Sequence, residues 1–480
     1  MKELRHSHGR SGGPDNREGG DTRLQGAQSM RLLMRARYQF FRERALKPRS
    51  WLLLYWALLL FFLTIPFTFA LMGENPTATV IRNSATMRRS DNSQLLIYGL
   101  RIVIPVMAFA MAALCGRVRP SMRALLAQWP MGLLLFWAFL SILWSDAPVS
   151  TFTGVVSMLS ILLFAAFLYG SLGARDAARA TLLAGTIMAV CSIGYVWAAP
   201  TYAIHQHSDS AQAVHAGLWR GVYLHKNHLG QAAAIFAAAT FLSGGLIRSF
   251  LVRMTMVAIL LFLIVKSGSA SALLIFPLTV VAVPVLVTFD PLKKAFVLFM
   301  APVLATAAVI SFGLLLQMLG KDPTLSGRTV IWDLAADAIG QRPMHGYGFM
   351  SPTYGNFVYE LYARTFVRDP HNMYLDMLLA LGVVGLLLMM WAPAFALKSA
   401  GTMYRKSLPL RSGAMCFSAL VVGWLVSGLS ESNDRPLGVV TTLGFFGLAM
   451  LLSCRPALHQ VIRDQRAARP KIVLERASIY

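Results

Sequence analysis

The strongest constraint on the fold of this chain is a series of apolar segments, each about as long as a membrane-crossing helix. A helix needs about 20 residues to cross ~30 Å of hydrocarbon at ~1.5 Å per residue. About twelve segments come close to this length, and 56% of the 480 residues are hydrophobic. The sequence therefore predicts an all-α polytopic integral membrane protein. The predicted helices cover residues 51–72, 95–115, 130–144, 151–172, 180–199, 229–247, 254–266, 271–289, 295–317, 372–397, 413–430 and 437–453.

The distribution of lysine and arginine predicts the orientation, because cytoplasmic loops of membrane proteins are enriched in these residues. With the N-terminus in the cytoplasm, the inner loops carry Arg117, Arg119 and Arg123; Arg175 and Arg179; Arg248 and Arg253; Lys293 and Lys294; and Arg405, Lys406 and Arg411. One outer loop, with Arg82, Arg88 and Arg89, departs from this pattern. The orientation places the loop 200–228, the long loop 318–371 between the ninth and tenth helices, and the segment 431–436 on the outer face.

Two basic tails flank the predicted membrane domain. Residues 1–50 form a cytoplasmic tail with an interfacial helix expected within 30–47, residues 51–453 form the transmembrane domain, and residues 454–480 form a second cytoplasmic tail. The net charge of +23 lies mainly in these tails and the inner loops, where anionic lipids attract it. We therefore expect membrane lipids, and not nucleic acid, as the partner of these charges. The first apolar segment is long enough to span, so it is predicted to be an anchor.

The sequence contains no motif for a bound metal or cofactor. Cys115, Cys191, Cys416 and Cys454 lack paired metal-ligand spacing, and none is placed for an external disulfide. A Walker loop, a dinucleotide fingerprint and a His-Glu-x-x-His helix are also missing from the sequence. We expect neither metal nor cofactor.

A basic cluster directly precedes the sixth predicted helix. Arg220, His225, Lys226, Asn227 and His228 would stand at the outer N-terminus of that helix. Helix N-termini present unpaired N–H groups and partial positive charge, and Arg and Lys add charge-assisted hydrogen bonds suited to phosphate. The pattern predicts a phosphate or diphosphate site. The alternative is that these residues only anchor the helix at the lipid headgroups.

Two residues of the long outer loop are candidates for chemistry. Ser326-Gly327-Arg328 opens a predicted amphipathic helix, and Arg328 in its first turn is unfavourable unless an anion is nearby. Asp369 and Pro370 resemble an N-cap and a first helical residue, which places His371 in the first turn of the tenth helix. A neutral imidazole there could act as a general base. The alternatives are a solvated Arg328 and a histidine that hydrogen-bonds a loop carbonyl.

Arg101 and Glu431 are two further candidates. Arg101 lies roughly 9 Å into the second predicted helix by helical rise, and an arginine within a membrane span is by default a functional candidate. It could instead extend outward to the headgroups. Glu431 ends the eleventh helix on the outer face, where it could orient His371 or a basic residue.

Five motifs, in order, resemble the bacterial O-antigen ligase and polysaccharide polymerase superfamily. In chain order they are Trp144-Ser145, Arg220 through Gly230, Ser326-Gly327-Arg328, the turn from Pro343 to Gly348, and Pro370-His371-Asn372-Met373-Tyr374-Leu375. The resemblance runs from about residue 135 to 450 and includes the long outer loop. The Arg-Gly-Val-x-x-His-Lys-Asn motif is most similar to the exopolysaccharide polymerase branch.

The resemblance implies a metal-independent glycosyltransferase of the bacterial inner membrane that uses an undecaprenyl-diphosphate-linked oligosaccharide as donor. The two diphosphate-binding arginines of the family would correspond to Arg220 and Arg328, with Lys226 as the alternative to Arg220, and the essential histidine to His371. The product would be an extracellular polysaccharide, made with a flippase and a chain-length regulator as possible partners. Ligation of the glycan to lipid A-core or to protein remains an alternative, and transport of lipid-linked sugars is a further one.

Overall fold

α-Helices form nearly all the regular structure in the described part of the chain. The computed structural model describes residues 50–64, 91–247, 249–289, 328–356, 370–432 and 438–467, without the side chains of residues 91–98, 210–212, 328, 329 and 466. The only β-type pairing within these ranges is an isolated bridge between Ile204 and Trp219. The chain divides into two units, Met1–Trp51 and Leu52–Tyr480. The larger unit contains all the described helices apart from the first two residues of the helix Ser50–Thr64.

Thirteen helices of ten or more residues are given labels. They are α1 (Ser50–Thr64), α2 (Asp91–Leu114), α3 (Val118–Ala127), α4 (Trp129–Leu140), α5 (Pro148–Ala198), α6 (Lys226–Leu242), α7 (Phe250–Ser267), α8 (Ala270–Thr288), α9 (Arg328–Gln341), α10 (Met373–Lys406), α11 (Leu408–Ser427), α12 (Val439–Ser453) and α13 (Arg455–Ala467). Short helical turns occupy Ser141–Trp144, Pro200–Ala203, Ser210–His215 and Ser351–Tyr354.

The all-helical prediction is confirmed for the described residues, whereas the number of spans stays a prediction. Helices occupy every predicted segment except 295–317, which lies outside the described residues. Among the described helices, six are long and apolar enough to cross a membrane, and α3 with α4 and the following turn would make a seventh, bent by 68°. α1 and residues Gly99–Leu114 are apolar but shorter. The interfacial helix predicted within 30–47 also lies outside the described residues.

α11 and α12 form the centre of the helical core. The most apolar window of α12 with α13 is 89% buried and that of α11 is 78% buried, whereas those of α7 and α8 are each only 28% buried. Small residues allow the close approach: a Cβ on Gly444 would collide with Trp424, and one on Gly447 would collide with Leu420. α7 and α8 therefore present most of their apolar surface outward.

Two long helices are broken at a glycine. α5 is interrupted at Gly173 (φ 73°) and α10 at Gly382 (φ 67°), in a region of backbone space that L side chains rarely adopt. The break in α5 falls between the fourth and fifth predicted helices. The break in α10 was not predicted, because the apolar pattern of residues 372–397 runs through it without interruption.

The segment 343–348 fills the break in α10. The N–H groups of Tyr347 and Gly348 donate to the carbonyls of Leu379 and Ala380 (both 2.8 Å), and the N–H of Val383 donates to the carbonyl of Pro343 (2.8 Å). The indole of Trp137 donates to the carbonyl of Leu381 (3.1 Å). These bonds satisfy backbone groups that the broken helix leaves unpaired. Residues 343–348 are thereby fastened to α10 about two turns from His371.

Candidate functional site

His371 stands immediately before α10, and not within its first turn as predicted. Asn372 caps the helix: its side-chain oxygen accepts from the N–H groups of Tyr374 (3.0 Å) and Leu375 (3.2 Å). The cap lies three residues later than the predicted cap at Asp369 because Asn372 offers its amide oxygen to the orphan N–H groups. Asp369 itself is outside the described residues.

The backbone of His371 has a left-handed conformation. Its φ is +50°, and it is the only non-glycine residue with a positive φ in the described ranges. Neighbouring contacts hold this geometry: the N–H of Met373 donates to the carbonyl of Gly428 (2.9 Å), and the indole of Trp332 donates to the carbonyl of Pro370 (2.9 Å). Left-handed backbone at a non-glycine residue costs roughly 1–3 kcal/mol and concentrates at functional sites.

Glu431 joins His371 to the start of α6. One carboxylate oxygen of Glu431 lies 3.5 Å from Nδ1 of His371. The other accepts from the side-chain amide of Asn227 (2.8 Å). Residues from three separate parts of the sequence, all predicted to belong to the site, therefore meet in one cluster, which we call the His371 cluster (Asn227, His371 and Glu431).

Two histidines cap the N-terminus of α6. Nδ1 of His225 accepts from the N–H of Asn227 (3.2 Å), and Nε2 of His205 accepts from the N–H of Lys226 (3.2 Å). A ring nitrogen that accepts a hydrogen bond carries no proton, so both imidazoles cap the helix only when neutral. His225 therefore has a helix-capping function that spacing alone did not predict.

The histidines near this helix start lie close together. The ring centroids of His205, His215 and His225 are 5.3–5.7 Å apart. Burial, followed by the charge of Arg220, lowers the pKa of His205 to about 4. Burial and the neighbouring His228 lower the pKa of His225. Among the described residues, no set of three His, Cys, Asp or Glu side chains is placed to hold a metal ion.

Arg220 is buried and engaged by the loop that precedes it. Only 1% of the residue is exposed, and its guanidinium donates to the carboxylate of Asp209 (3.2 Å) and to the carbonyls of Tyr202 (2.7 Å) and Thr201 (3.3 Å). All three nitrogens of the guanidinium have a protein partner. Asp209 also lies 3.4 Å from His205. This arrangement fixes the segment 201–209 against the start of α6.

Lys226 lies closer in sequence to the His371 cluster than Arg220 does. It is the first residue of α6, its Nζ donates to the carbonyl of Gly268 (3.2 Å), and it directly precedes Asn227. Burial lowers its pKa, and the nearby charge of Glu431 partly offsets this effect. Lys226 therefore brings a buried cation to the same helix terminus that contributes Asn227.

Arg328 begins α9, as the sequence predicted for the first turn of an amphipathic helix. Trp332, four residues later on the same helix, bonds the carbonyl of Pro370 directly before His371. Positions i and i+4 share one helix face. Position 328 is therefore on the same face of α9 as Trp332, whose indole bonds the residue before His371. Ser326 is outside the described residues.

Arg101 lies inside the helical core and does not extend outward. It is 5% exposed, and one terminal nitrogen donates to the hydroxyl of Thr442 in α12 (3.0 Å). The other terminal nitrogen has no hydrogen-bond partner among the described residues. The side chain of Arg101 therefore does not extend outward to the headgroups, which was the alternative that the sequence left open. Its hydrogen bond to Thr442 links α2 to the central helix α12.

Sequence reasoning missed several residues that shape the site. His205, Asp209, Trp332 and the cap Asn372 position the candidates through contacts that join residues distant along the chain. For His205 and Asp209, the only local signal in the sequence was their spacing of four residues.

Residues 255–390 match the O-antigen ligase family model. The match extends from α7 into α10 and contains Arg328 and His371, whereas Arg101, Arg220, Lys226 and Glu431 lie outside it. It supports the resemblance to the O-antigen ligase and polymerase superfamily. No curated protein matches the chain.

The match covers less than a third of the 480 residues, and the type of function it indicates is that of the O-antigen ligases and polymerases. Together with the long apolar helices, it identifies a membrane protein.

Proposed function

We propose that this protein is an inner-membrane polymerase that joins undecaprenyl-diphosphate-linked oligosaccharide repeats into an extracellular polysaccharide at the periplasmic face. The observation that carries the proposal is the His371 cluster, in which a histidine with left-handed backbone faces a carboxylate bonded to the basic N-terminus of α6. The two histidine caps occupy the first N–H groups of α6, so the cationic side chains, and not the helix terminus itself, are the proposed anion contacts. A general base beside such cations is the arrangement that glycosyl transfer from a lipid diphosphate needs.

His371 is the proposed general base. Its Nδ1 faces Glu431, so the opposite ring nitrogen, Nε2, would take the proton of an acceptor sugar hydroxyl. The acceptor oxygen then bonds the anomeric carbon of the donor as the bond from that carbon to the diphosphate oxygen breaks. The lipid diphosphate leaves with the bonding electron pair. Glu431 orients the imidazole and stabilises its protonated form, as a carboxylate partner does in other acid–base pairs.

Lys226 and Arg328 are the proposed cationic contacts of the diphosphate. Fixed positive groups stabilise the charge that develops on the leaving group. Arg220 would have to give up a bond to Asp209, Tyr202 or Thr201 to reach the diphosphate. This favours Lys226, the alternative that the sequence left open, with Arg220 holding the loop in place. A direct contact from Arg220 stays a prediction.

Arg101 and His225 take supporting positions in this proposal. The unpartnered nitrogen of Arg101 could meet the donor from the side of α2, and His225 holds the N-terminus of α6 through its cap. The proposed mechanism uses no metal, so glycosyl transfer should be unaffected by a chelator. A flippase and a chain-length regulator remain proposed partners.

Ligation is the second candidate function, because the matching family is described as O-antigen ligase. Deletion of the gene, followed by sizing of the extracellular polysaccharide, separates the two. Loss of polymer with accumulation of single lipid-linked repeats is the result expected of a polymerase. Full-length polymer retained on the lipid carrier would instead identify a ligase that acts on lipid A-core or on protein.

A further inference from the structure

An open groove lies between the C-terminal ends of α5 and α7. It has a volume of about 640 Å³ and is lined by Ile193, Val196, Trp197, Trp219, Phe262 and Lys266. Trp197 is 83% exposed, and only 28% of the apolar window of α7 is buried. Tryptophan is typical of the membrane interface. The groove therefore opens toward lipid at the end of two apolar helices.

A single cation stands at the rim of this groove. Nζ of Lys266 lies 5.6 Å from the ring centroid of Trp219 and 5.7 Å from that of Phe262, and the two rings pack edge to face at 5.6 Å. No ion pair joins Lys266 to a carboxylate among the described residues. An apolar trough with a cation at its rim fits an amphipathic molecule with an anionic head and a hydrocarbon tail.

The rim of the groove is continuous with the proposed diphosphate site. The N–H of Trp219 donates to the carbonyl of Lys266 (3.0 Å), and Trp219 directly precedes Arg220. Nζ of Lys226 donates to the carbonyl of Gly268, two residues beyond Lys266. Lys226 therefore bonds the turn between α7 and α8 that directly follows Lys266. A diphosphate that extends from a lipid chain into the His371 cluster would meet both cations in turn.

We propose that this groove binds the prenyl chain of the lipid-linked donor next to its diphosphate, with Lys266 as a phosphate contact. The proposal rests on the proposed function, since that function supplies a polyprenyl diphosphate as the donor. It adds a specific path for the lipid and a cation that the sequence motifs do not include. Ile193, Val196 and Phe262 would contact the first isoprene units, and Lys226 would contact the diphosphate on the side of the site.

Filling the groove tests this proposal. Val196→Trp should raise the KM for the lipid-linked donor about tenfold, whether its prenyl chain has ten carbons or the full length, while kcat stays near wild type. Val190→Trp is the matched control: Val190 belongs to the same helix and is 61% exposed, but it does not line the groove. Lys266→Met should raise the KM for both donors, whereas Lys398→Met, an exposed lysine on α10, should not. Equal kinetics for Val196→Trp and Val190→Trp would overturn the proposal.

Photo-crosslinking separates failure of the groove from failure of the proposed function, because it needs no turnover. A diazirine-bearing prenyl diphosphate should label Val196, Phe262 or their neighbours in the wild-type protein in nanodiscs, and undecaprenyl diphosphate should compete. Labelling that is competed equally by phosphatidylglycerol, or by a sugar diphosphate without a lipid chain, would contradict the assignment to a prenyl chain. If undecaprenyl diphosphate competes for the labelling but the protein transfers no glycan, the assignment of the groove is retained and the proposed function is refuted.

Discussion

At the scale of single residues, His371 is the most informative position. The sequence suggested it as a base, but it did not predict the left-handed backbone, because the cap was assigned to Asp369 and not to Asn372. The contacts that hold this backbone come from Gly428 and Trp332, which are far away in sequence. The identity of the residue could be read from a local motif, whereas its geometry depends on packing between α9, α10 and α11.

Glu431 provides the first prediction at this scale. Glu431→Gln keeps the shape of the side chain and its acceptor for Asn227 but removes the negative charge beside His371. We expect kcat to fall by about 10- to 100-fold with little change in donor KM, because imidazolium loses its partner in the transition state.

The matched control is Asp337→Asn, which neutralises an exposed carboxylate on α9 and should leave both parameters unchanged. Steady-state kinetics on purified protein provides the measurement. A wild-type kcat in Glu431→Gln would show that the charge of Glu431 does not serve His371.

The contacts of the Arg220 guanidinium differ from what the sequence predicted. A basic residue before a helix predicts an anion site, and the structure instead surrounds its guanidinium with Asp209 and two carbonyls. Asp209 is eleven residues from Arg220 in an irregular loop, and no helical or strand spacing relates them. The pairing could not be predicted without the fold.

At the scale of elements, the broken helix α10 connects the long loop to the site. Gly382 has φ 67° and ψ −167°, a region open essentially only to glycine, and a Cβ there would collide with the backbone of Met344. We expect Gly382→Ala to destabilise the protein by about 1–3 kcal/mol and to lower its thermal midpoint in detergent.

Gly194→Ala serves as the control for this substitution. Gly194 lies inside α5, and a Cβ there would meet no atom within 4 Å, so alanine should leave the midpoint unchanged or raise it slightly. Equal midpoints for the two variants would show that the break at Gly382 does not need a glycine.

The start of α6 gives a prediction on pH. The folded-state pKa of His205 and His225 is below the ordinary imidazole value, so the unfolded chain binds protons that the native state does not. Stability from the two caps is therefore fully present above about pH 7 and is lost as pH falls below about 6.5. For His205 the loss continues to about pH 4, where its native form takes up the proton.

His225→Asn tests this effect, because asparagine can cap the helix without titrating. The acid-induced drop in thermal midpoint should be smaller in His225→Asn than in wild type. His459→Asn, which replaces an exposed histidine of α13, should follow the wild-type curve. Parallel curves for wild type and His225→Asn would contradict the cap assignment.

Helix positions were the most predictable feature at this scale, because apolar segments of membrane length have few other structures open to them. The break at Gly382 was not predictable, since its unpaired carbonyls are satisfied by residues 343–348, more than thirty positions away in the chain. The turn at Pro343–Gly348 appeared in the sequence as a motif of the resemblance, but nothing in it indicated its hydrogen bonds to α10.

At the scale of the whole molecule, orientation in the membrane is the main property that remains a prediction. The pattern of Lys and Arg places residues 318–371 in the periplasm and both termini in the cytoplasm. Thr353→Cys, in a protein with Cys115 and Cys191 replaced by serine, should react with an impermeant thiol reagent in intact spheroplasts. Cys416 and Cys454 are buried and should stay unlabelled.

Lys406→Cys, an exposed position at the end of α10, is the control for the opposite face. It should react only after the membrane is permeabilised. Labelling of Lys406→Cys with protection of Thr353→Cys in intact spheroplasts would reverse the proposed orientation and place the His371 cluster in the cytoplasm.

The arrangement of the helices around a centre could not be predicted from composition. All the spans are apolar, so hydrophobicity alone does not distinguish α12, which is buried by protein, from α7, which faces outward. The difference arises from small residues such as Gly444 and Gly447, which let α11 approach α12.

His371 is proposed to deprotonate the acceptor hydroxyl during glycosyl transfer from a lipid-linked donor. The most direct test is transfer by purified wild-type and His371→Ala protein in nanodiscs, with donor binding measured in parallel. Transfer by His371→Ala should fall by about 10²–10⁴-fold while the donor Kd stays near wild type, since the diphosphate is assigned to Lys226 and Arg328. Transfer at the wild-type rate by His371→Ala would contradict the proposed role of His371.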